Sequence, residues 1–491
     1  EKHRNPDSKD LNKLWKKRKQ EAEFWVWLQW RLENQFLEVS RQLEELGVAL
    51  KGDIPILITD DSADLWAERR NFNLKMRAGA PPDAGSPGGQ NWGFPTYKWT
   101  YLEGTDYRWW RERIDQAAKF YHAYRIDHVL GFFRIWAVPE NDIAALGGCY
   151  EPSVPITAAD LNALGFDEGR ITWLSLSHFP GEEIREIFGK EWETVVGMLD
   201  QVESEDLWRQ TRNGPTEKDV EASALSDGAK ENLKQLLRNR TLIGLGGNAY
   251  LPAWNHEASR GWNSLSEDER AALDELIHRQ GRESEALWEE TGRRLLKMMK
   301  SDGSMLVCAE DLGSVPNFVP GVLNDLGILG LKVVRWARMW DRPGQPYIPF
   351  SDYPELSVAT GSVHDSTTVR GWLAGEAQND IELRRVMDVA PETDLSGVSG
   401  SRQILEKIQD SNSLIAAHPL QDLLALDSSC SSEDPENERI NMPGTVEPTN
   451  WCWRMIPELE NLSDCTELNS SLRTLCARRQ TRSADFPGGR K

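Results

Sequence analysis

The chain has 491 residues, of which 39% are apolar and 27% charged, with 38 Gly and 25 Pro spread along its length. That composition supplies ample core and excludes a fibrous or wholly disordered protein. Acidic residues outnumber basic ones by 78 to 57, a net charge of −21, which repels phosphate backbones and anionic lipid and argues against a nucleic-acid partner.

Leu28, Leu32, Val39, Leu43 and Leu46 recur at spacings of three, four and seven, predicting one long helix over 11–46 that stops at Gly47. VALKGDIPILI (48–58) is an apolar run broken by Gly-Asp, the pattern of a buried strand ending in a polar loop. The Pro- and Gly-rich stretch AGAPPDAGSPGGQNWGFPTYKW (78–99) predicts a loop. Residues 106–123 predict a helix, and AYRIDHVLGFFRIWAVP (123–139) a second buried strand. From 155 to 300 charge rises and helical patterns such as 187–200 and 266–280 dominate, the last helix ending at Gly303. Then MLVCAEDLG (305–313), GLKVVRWA (330–337), ELSVATGSVHD (355–365) and SLIAAHPLQDLLAL (413–426) read as strands, alternating with helical patterns at 317–327, 380–388 and 401–409. Strand and helix in alternation are the signature of parallel βαβ units, hence an α/β layer or barrel. Residues after 478 predict a disordered tail.

No apolar run reaches the ~18 residues that a membrane helix needs. The polar start (EKHRNPDSKDLNKLWKKRKQ) does not read as a signal peptide. Cys149, Cys308, Cys430, Cys452, Cys465 and Cys476 are too scattered for a disulfide framework or a CxxC metal site, and read as reduced thiols in a cytosolic protein. No nucleotide, metal or flavin motif is present. The Gly-rich LIGLGGNA (242–249) lacks the Lys-Ser/Thr of a phosphate loop and reads as a turn. There are 21 Trp against 13 Phe and 9 Tyr. Most are expected in the core, but indole faces also suit stacking on sugar rings.

Four strand-like runs end in polar residues: Gly52-Asp53, Arg125-Ile126-Asp127-His128, Glu310-Asp311 and His364-Asp365. In a parallel barrel all strand C-termini open on one face, so such residues converge. One acid after an apolar run is usually a cap or turn; four ends in succession, two with Asp beside His, carry more information. Convergent carboxylates with Arg and His beside them are the equipment of glycoside chemistry: one attacks the anomeric carbon while another gives and later takes a proton, at about 5–5.5 Å separation in retaining enzymes. Their pKa values must differ, the nucleophile kept ionised by a close Arg and the acid kept protonated by burial or a like charge.

RIDHVLGFFRIWAVP, CAEDLGSVP, SVHDSTTVRGW, GDIPILITDDSADLW, GGQNWGFPTYKW and INMPGT with NWCWR resemble, in order, the motifs of the amylomaltases, the 4-α-glucanotransferases of glycoside hydrolase family 77. The resemblance covers most of 20–160 and 265–460. It implies an α/β fold, a (β/α)8 TIM barrel of the α-amylase-like glycosidase type, and no cofactor or metal. It implies Asp127 as nucleophile, Glu310 as acid/base and Asp365 as the carboxylate that grips sugar hydroxyls. Arg125, two residues before the nucleophile, shares its face on an extended strand and can hold the carboxylate ionised. His128 and His364 are implied as hydroxyl donors, Asp311 and Asn441 as acceptor-side contacts, and Trp92 with Gln90 as the aromatic glucan-contacting loop. Asp53 and Asp64 match family positions expected to be structural.

Asp127 and Glu310 are separated by far more than the about 40–50 residues of one βα unit and a modest loop. That long helical insertion between strands 4 and 5, with NAYLPAWN (248–255) and EALWEETGRRLLKMM (285–299), resembles the plant cytosolic disproportionating type within the family. The expected organisation is 1–160 as the first part of the barrel with strands 3 and 4, 161–265 as insertion, 266–478 as the barrel from strand 5 to 8, and 479–491 as tail. The first two barrel strands find no counterpart, which leaves a sheet edge open and suggests a fragment. The implied partners are α-1,4-glucans, maltose and glucose in the cytosol, with neither nucleic acid nor membrane. An α-glucan hydrolase, or an inactive glucan-binding remnant, would use much of the same equipment.

Overall fold

The computed structural model describes residues 6–83, 86–203, 205–211, 214–301 and 305–484. The chain divides into two compact units, one of residues 1–122 with 127–305, the other of residues 123–126 with 306–491.

In the first unit the N-terminal helix is two helices, Lys9–Lys17 and Lys19–Glu45, separated at Arg18. It ends as its sequence predicts. Gly47 takes φ +72°, Val48 N–H donates to Leu43 O and Gly47 N–H to Glu44 O, so the left-handed glycine satisfies the last carbonyls. A short strand, Lys51–Ile54, follows.

The stretch 78–99, expected as loop, contains strand at both 78–80 and 90–97. Phe72–Ala80 and Gln90–Tyr97 form an antiparallel hairpin in a four-stranded sheet completed by Ile135–Pro139 and Cys149–Glu151. Its glycines and prolines have strand uses. Gly79 faces Asn91 in register, and a Cβ there would overlap the Gln90 carbonyl oxygen. Pro95 lies on the sheet's edge strand, where no second ladder demands its missing N–H. The expected single strand 123–139 is also interrupted: Ala123–Ile126 stops, a 3-10 turn covers Val129–Phe132, and Ile135–Pro139 joins the antiparallel sheet instead. Beneath the hairpin, buried Phe72, Tyr97, Trp109, Trp110 and Phe132 pack edge-to-face and tilted, with centroids 5.1–5.8 Å apart.

The segment 161–265, expected to be mainly helical, mixes helices such as Gly181–Phe188 and Asp227–Arg238 with small antiparallel sheets. LIGLGGNA is a hairpin turn: Leu242–Gly246 pairs with Ala249–Pro252, and Gly246, Gly247 and Asn248 all take positive φ. The expected boundaries at 160 and 265 fall inside one hydrophobic cluster, which joins Ile156, Leu174, Leu242 and Leu273. Glu267–Ser301 is one continuous helix. It passes so close to Phe133 that a Cβ at Gly292 would overlap the ring. The expected stop at Gly303 lies outside the described residues.

The second unit is parallel. Ala123–Ile126 pairs with Leu306–Ala309, Gly330–Val333 with Ser357–Thr360, and Ser357–Thr360 with Ile415–Ala416. Ala309 N–H to Leu329 O (2.7 Å) and Leu329 N–H to Val307 O (3.0 Å) join the two groups, so five strands lie side by side in chain order. The run 413–426, expected as strand, keeps only two strand residues before the helix Leu420–Leu424. Helices Val369–Ala374 and Gly397–Gln409 bury Trp372, Leu373, Ile404, Leu405 and Ile408 in the main core of this unit. Thr466–Ala484 is helix, so residues 479–484 of the expected tail are helical; 485–491 lie outside the described residues. No closed barrel is formed among the described residues.

Candidate active site

In the second unit the parallel register sets where the polar strand ends fall. The ladder pairs Ala309 with Ile126, and Glu310 extends it by donating its N–H to Ile126 O at 2.9 Å. The Glu310 carboxylate accepts from Leu312 N–H at 3.2 Å. The adjacent acid points the other way, as strand alternation requires. Asp311 accepts from Leu331 N–H at 2.6 Å and has Lys332 Nζ 3.6 Å away, with its side chain only 4% exposed. Burial pushes its carboxyl up, against the pull of Lys332. Asp311 thus ties two strands together from a buried position.

Asp365 stands past the Ser357–Thr360 strand in a cluster of partners. His364 Nε2 lies 3.3 Å from one carboxylate oxygen, and Asn441 Nδ2 donates to the other at 2.7 Å. The His364 hydrogen bond, the Asn441 hydrogen bond and the charge of Arg125 hold Asp365 below the usual carboxylate range, against partial burial. Arg125, His364, Asp365 and Asn441 are therefore one constellation within this unit.

Two further residues of that constellation escaped the sequence. The Trp451 ring lies 5.2 Å from His364, centroid to centroid, and is 65% exposed; its backbone sits at φ +61° with the N–H donated to Ile440 O. Such an exposed aromatic beside a histidine–carboxylate pair suits a sugar face. NWCWR held the residue, but nothing in a lone Trp distinguishes this role from core. Asp422 is fully buried; it accepts from Ser362 Oγ (2.5 Å) and Val369 N–H (2.8 Å), clamping both ends of the loop that carries His364 and Asp365. Burial pushes its carboxyl up to about 6.

The first unit holds the other expected residues. Asp127 follows the strand end, with its N–H on Ile54 O at 3.2 Å. His128 takes the left-handed conformation (φ +44°), and burial lowers its pKa to about 4, so the ring is neutral. The Trp92 indole meets the His128 ring edge-on at 4.9 Å, and its Nε1–H donates to Gln90 Oε1 at 3.0 Å. Gln90 thus fixes the indole. Asp64 accepts from Trp109 Nε1 (3.1 Å), and Asp53 is exposed on the short strand Lys51–Ile54.

The profile of glycoside hydrolase family 77, described as 4-alpha-glucanotransferase, matches residues 1–459. The chain belongs to this family. Among its relatives are the 4-alpha-glucanotransferase DPE2 of Oryza sativa subsp. japonica, 30% identical over 95% of this chain and 50% of that protein, and the 4-alpha-glucanotransferase of Chlamydia muridarum, 27% identical over 93% and 60%. The amylomaltase of Streptococcus agalactiae, solved in complex with acarbose, is similar in structure with a TM-score of 0.51 at 19% identity, over 90% of this chain and 60% of that one. The amylomaltase of Corynebacterium glutamicum gives 0.52 at 16% identity, over 93% and 50%. These likenesses give the fold as the amylomaltase type. The chain spans between half and about three-fifths of the length of these relatives.

Proposed function

We propose that this family 77 protein transfers glucosyl units between α-1,4-glucans with retention. Asp127 attacks the anomeric carbon of the donor while Glu310 protonates the departing glycosidic oxygen, so the C1–O bond breaks and a Asp127–C1 ester forms. An acceptor hydroxyl then attacks C1, Glu310 takes its proton, and the Asp127 carboxylate leaves. Asp365 grips hydroxyls of the same glucosyl ring, and His364, His128 and Asn441 assist it. The observation that carries this proposal is the Arg125–His364–Asp365–Asn441 cluster, an ionised carboxylate with its hydrogen-bonding partners at parallel strand ends.

Maltose or maltodextrin would serve as donor, glycogen or a soluble heteroglycan as acceptor, and glucose would be released from maltose. The long segment between Asp127 and Glu310 favours the plant-type disproportionating branch and a cytosolic setting; the described residues contain no helix long and apolar enough to cross a membrane. Incubating the complete protein with labelled maltose and glycogen tests the activity. Transfer predicts one glucose released for each glucosyl unit gained by glycogen. Both halves of maltose appearing as glucose, with glycogen unlabelled, would show a hydrolase; glucan binding without turnover would show a remnant.

A further inference from the structure

The segment between the expected nucleophile and acid/base has a structural connection to Trp92 that the transfer reaction itself does not explain. The helix Glu217–Ala222 begins with Glu217, 4% exposed. One carboxylate oxygen accepts from the backbone N–H groups of Ile143 (2.8 Å) and Ala144 (3.0 Å), and the other from Arg238 Nε. The next residue, Lys218, donates its N–H to Asn141 O at 3.1 Å. The loop 141–144 is therefore held by this helix through three backbone groups. A buried carboxylate so fully engaged is costly to disturb, because each partner it abandons is left unsatisfied.

That loop in turn holds the aromatic strand. Asp142 O accepts from Asn91 Nδ2 at 3.2 Å, and Asn91 Oδ1 accepts from Gly93 N–H at 3.0 Å. Gly93 is at φ +78°, so the Asn91 side chain fixes a turn directly around Trp92. Gln90–Tyr97 is an edge strand, paired on one side only. Asn91 thus supplies an anchor that a second ladder would otherwise give. The chain of bonds runs from Glu217 to the 141–144 loop, to Asn91, to the indole standing against His128.

We propose that Glu217 and Asn91 are positioning residues that set the Trp92 indole for glucan binding, so that the insertion tunes substrate affinity through the aromatic hairpin. This rests on the proposed glucan contact of Trp92. In the complete protein, Trp92→Ala should raise the donor KM about tenfold with little change in kcat. Glu217→Gln keeps the side chain's shape but weakens its hold on Arg238 and the loop; Asn91→Asp keeps the acceptor for Gly93 N–H but loses the donor to Asp142 O. Each should raise the same KM about three- to tenfold, and neither should add to Trp92→Ala in the double variants. Protein labelled with 5-fluorotryptophan supplies a readout free of substrate. The Trp92 fluorine resonance, assigned by its loss in Trp92→Phe, should shift or broaden in Glu217→Gln and Asn91→Asp.

An unmoved Trp92 resonance overturns the positioning role, as does a KM effect undiminished in the Trp92→Ala background. A moved resonance with Trp92→Ala leaving KM unchanged supports the structural coupling and overturns instead the glucan contact on which it rests.

Discussion

The two units hold their candidate residues by different means. In the second, Glu310 and Asp365 stand at the ends of short buried parallel strands whose register is set by ladders, and a fully buried carboxylate, Asp422, clamps the loop beyond one of them. In the first, Trp92 sits on an edge strand and His128 in a left-handed turn, held by side-chain hydrogen bonds and packing. Chemistry that depends on a carboxylate's place to a fraction of an ångström is suited to the first kind of support. Affinity for a flat sugar face tolerates the second.

The largest expected effects fall on the proposed chemistry, with one residue drawn from each unit. Asp127→Ala and Glu310→Gln in the complete protein should each reduce transfer by about 10⁴-fold or more while glucan binding stays measurable. Turnover near the parent rate in either variant would move that role to another group. Asp365→Asn should cost about 10²- to 10³-fold, mostly in kcat, if its proposed hold on sugar hydroxyls strengthens as the ring distorts; a change confined to KM would show it binds ground state and transition state alike.

Next come two stability experiments, one for each kind of support. Gly79→Ala drives a Cβ into the Gln90 backbone oxygen, which the hairpin cannot relieve by rotating a side chain. It should cost about 1–3 kcal/mol in denaturant unfolding. A neutral outcome would mean the hairpin yields more readily than its register implies. Asp422 tests the other unit through pH. Its carboxyl is raised to about 6, so between the ordinary carboxylate range and that value the folded state binds the proton more tightly than the unfolded chain does. Stability should therefore fall as pH rises from about 4 to about 6, and Asp422→Asn should remove that part of the slope, a difference of about 2–3 kcal/mol across the window. Parallel slopes for the two proteins would refute it.

The smallest effect concerns Asp365. Because His364 and Asn441 hold it below the usual range, its ionised form persists as pH falls, and the stability it contributes is lost progressively as pH drops from the ordinary carboxylate range through its lower folded pKa. Asn441→Ala should move the acid limb of transfer upward by a fraction of a pH unit; an unmoved limb would assign it to a different group.

Sequence and structure agree best where a short apolar run delivers a polar end, as at Glu310 and His364-Asp365, because a strand buried on both faces leaves few alternatives. The hairpin was hidden by its own composition. Gly79 and Pro95 are strand breakers in isolation, and only pairing, with a close backbone approach and an edge position, makes them suitable. Glu310 and Asp311 show a second limit. The two adjacent acids are chemically equivalent in sequence, and only the pleat sends one to the strand end and the other to Leu331 and Lys332. Asp422 was concealed inside an apolar run read as strand, since its worth lies in Ser362 and Val369, distant in sequence.

Transfer with retention, as proposed, requires a glucosyl unit to become covalently attached to Asp127. The Glu310→Gln variant of the complete protein, given an α-glucosyl fluoride whose leaving group needs no proton, should accumulate that adduct, and peptide mass spectrometry should place one added anhydroglucose on the peptide containing Asp127. Label on any other carboxylate, or release of β-glucose from the α-donor with no adduct, would contradict it.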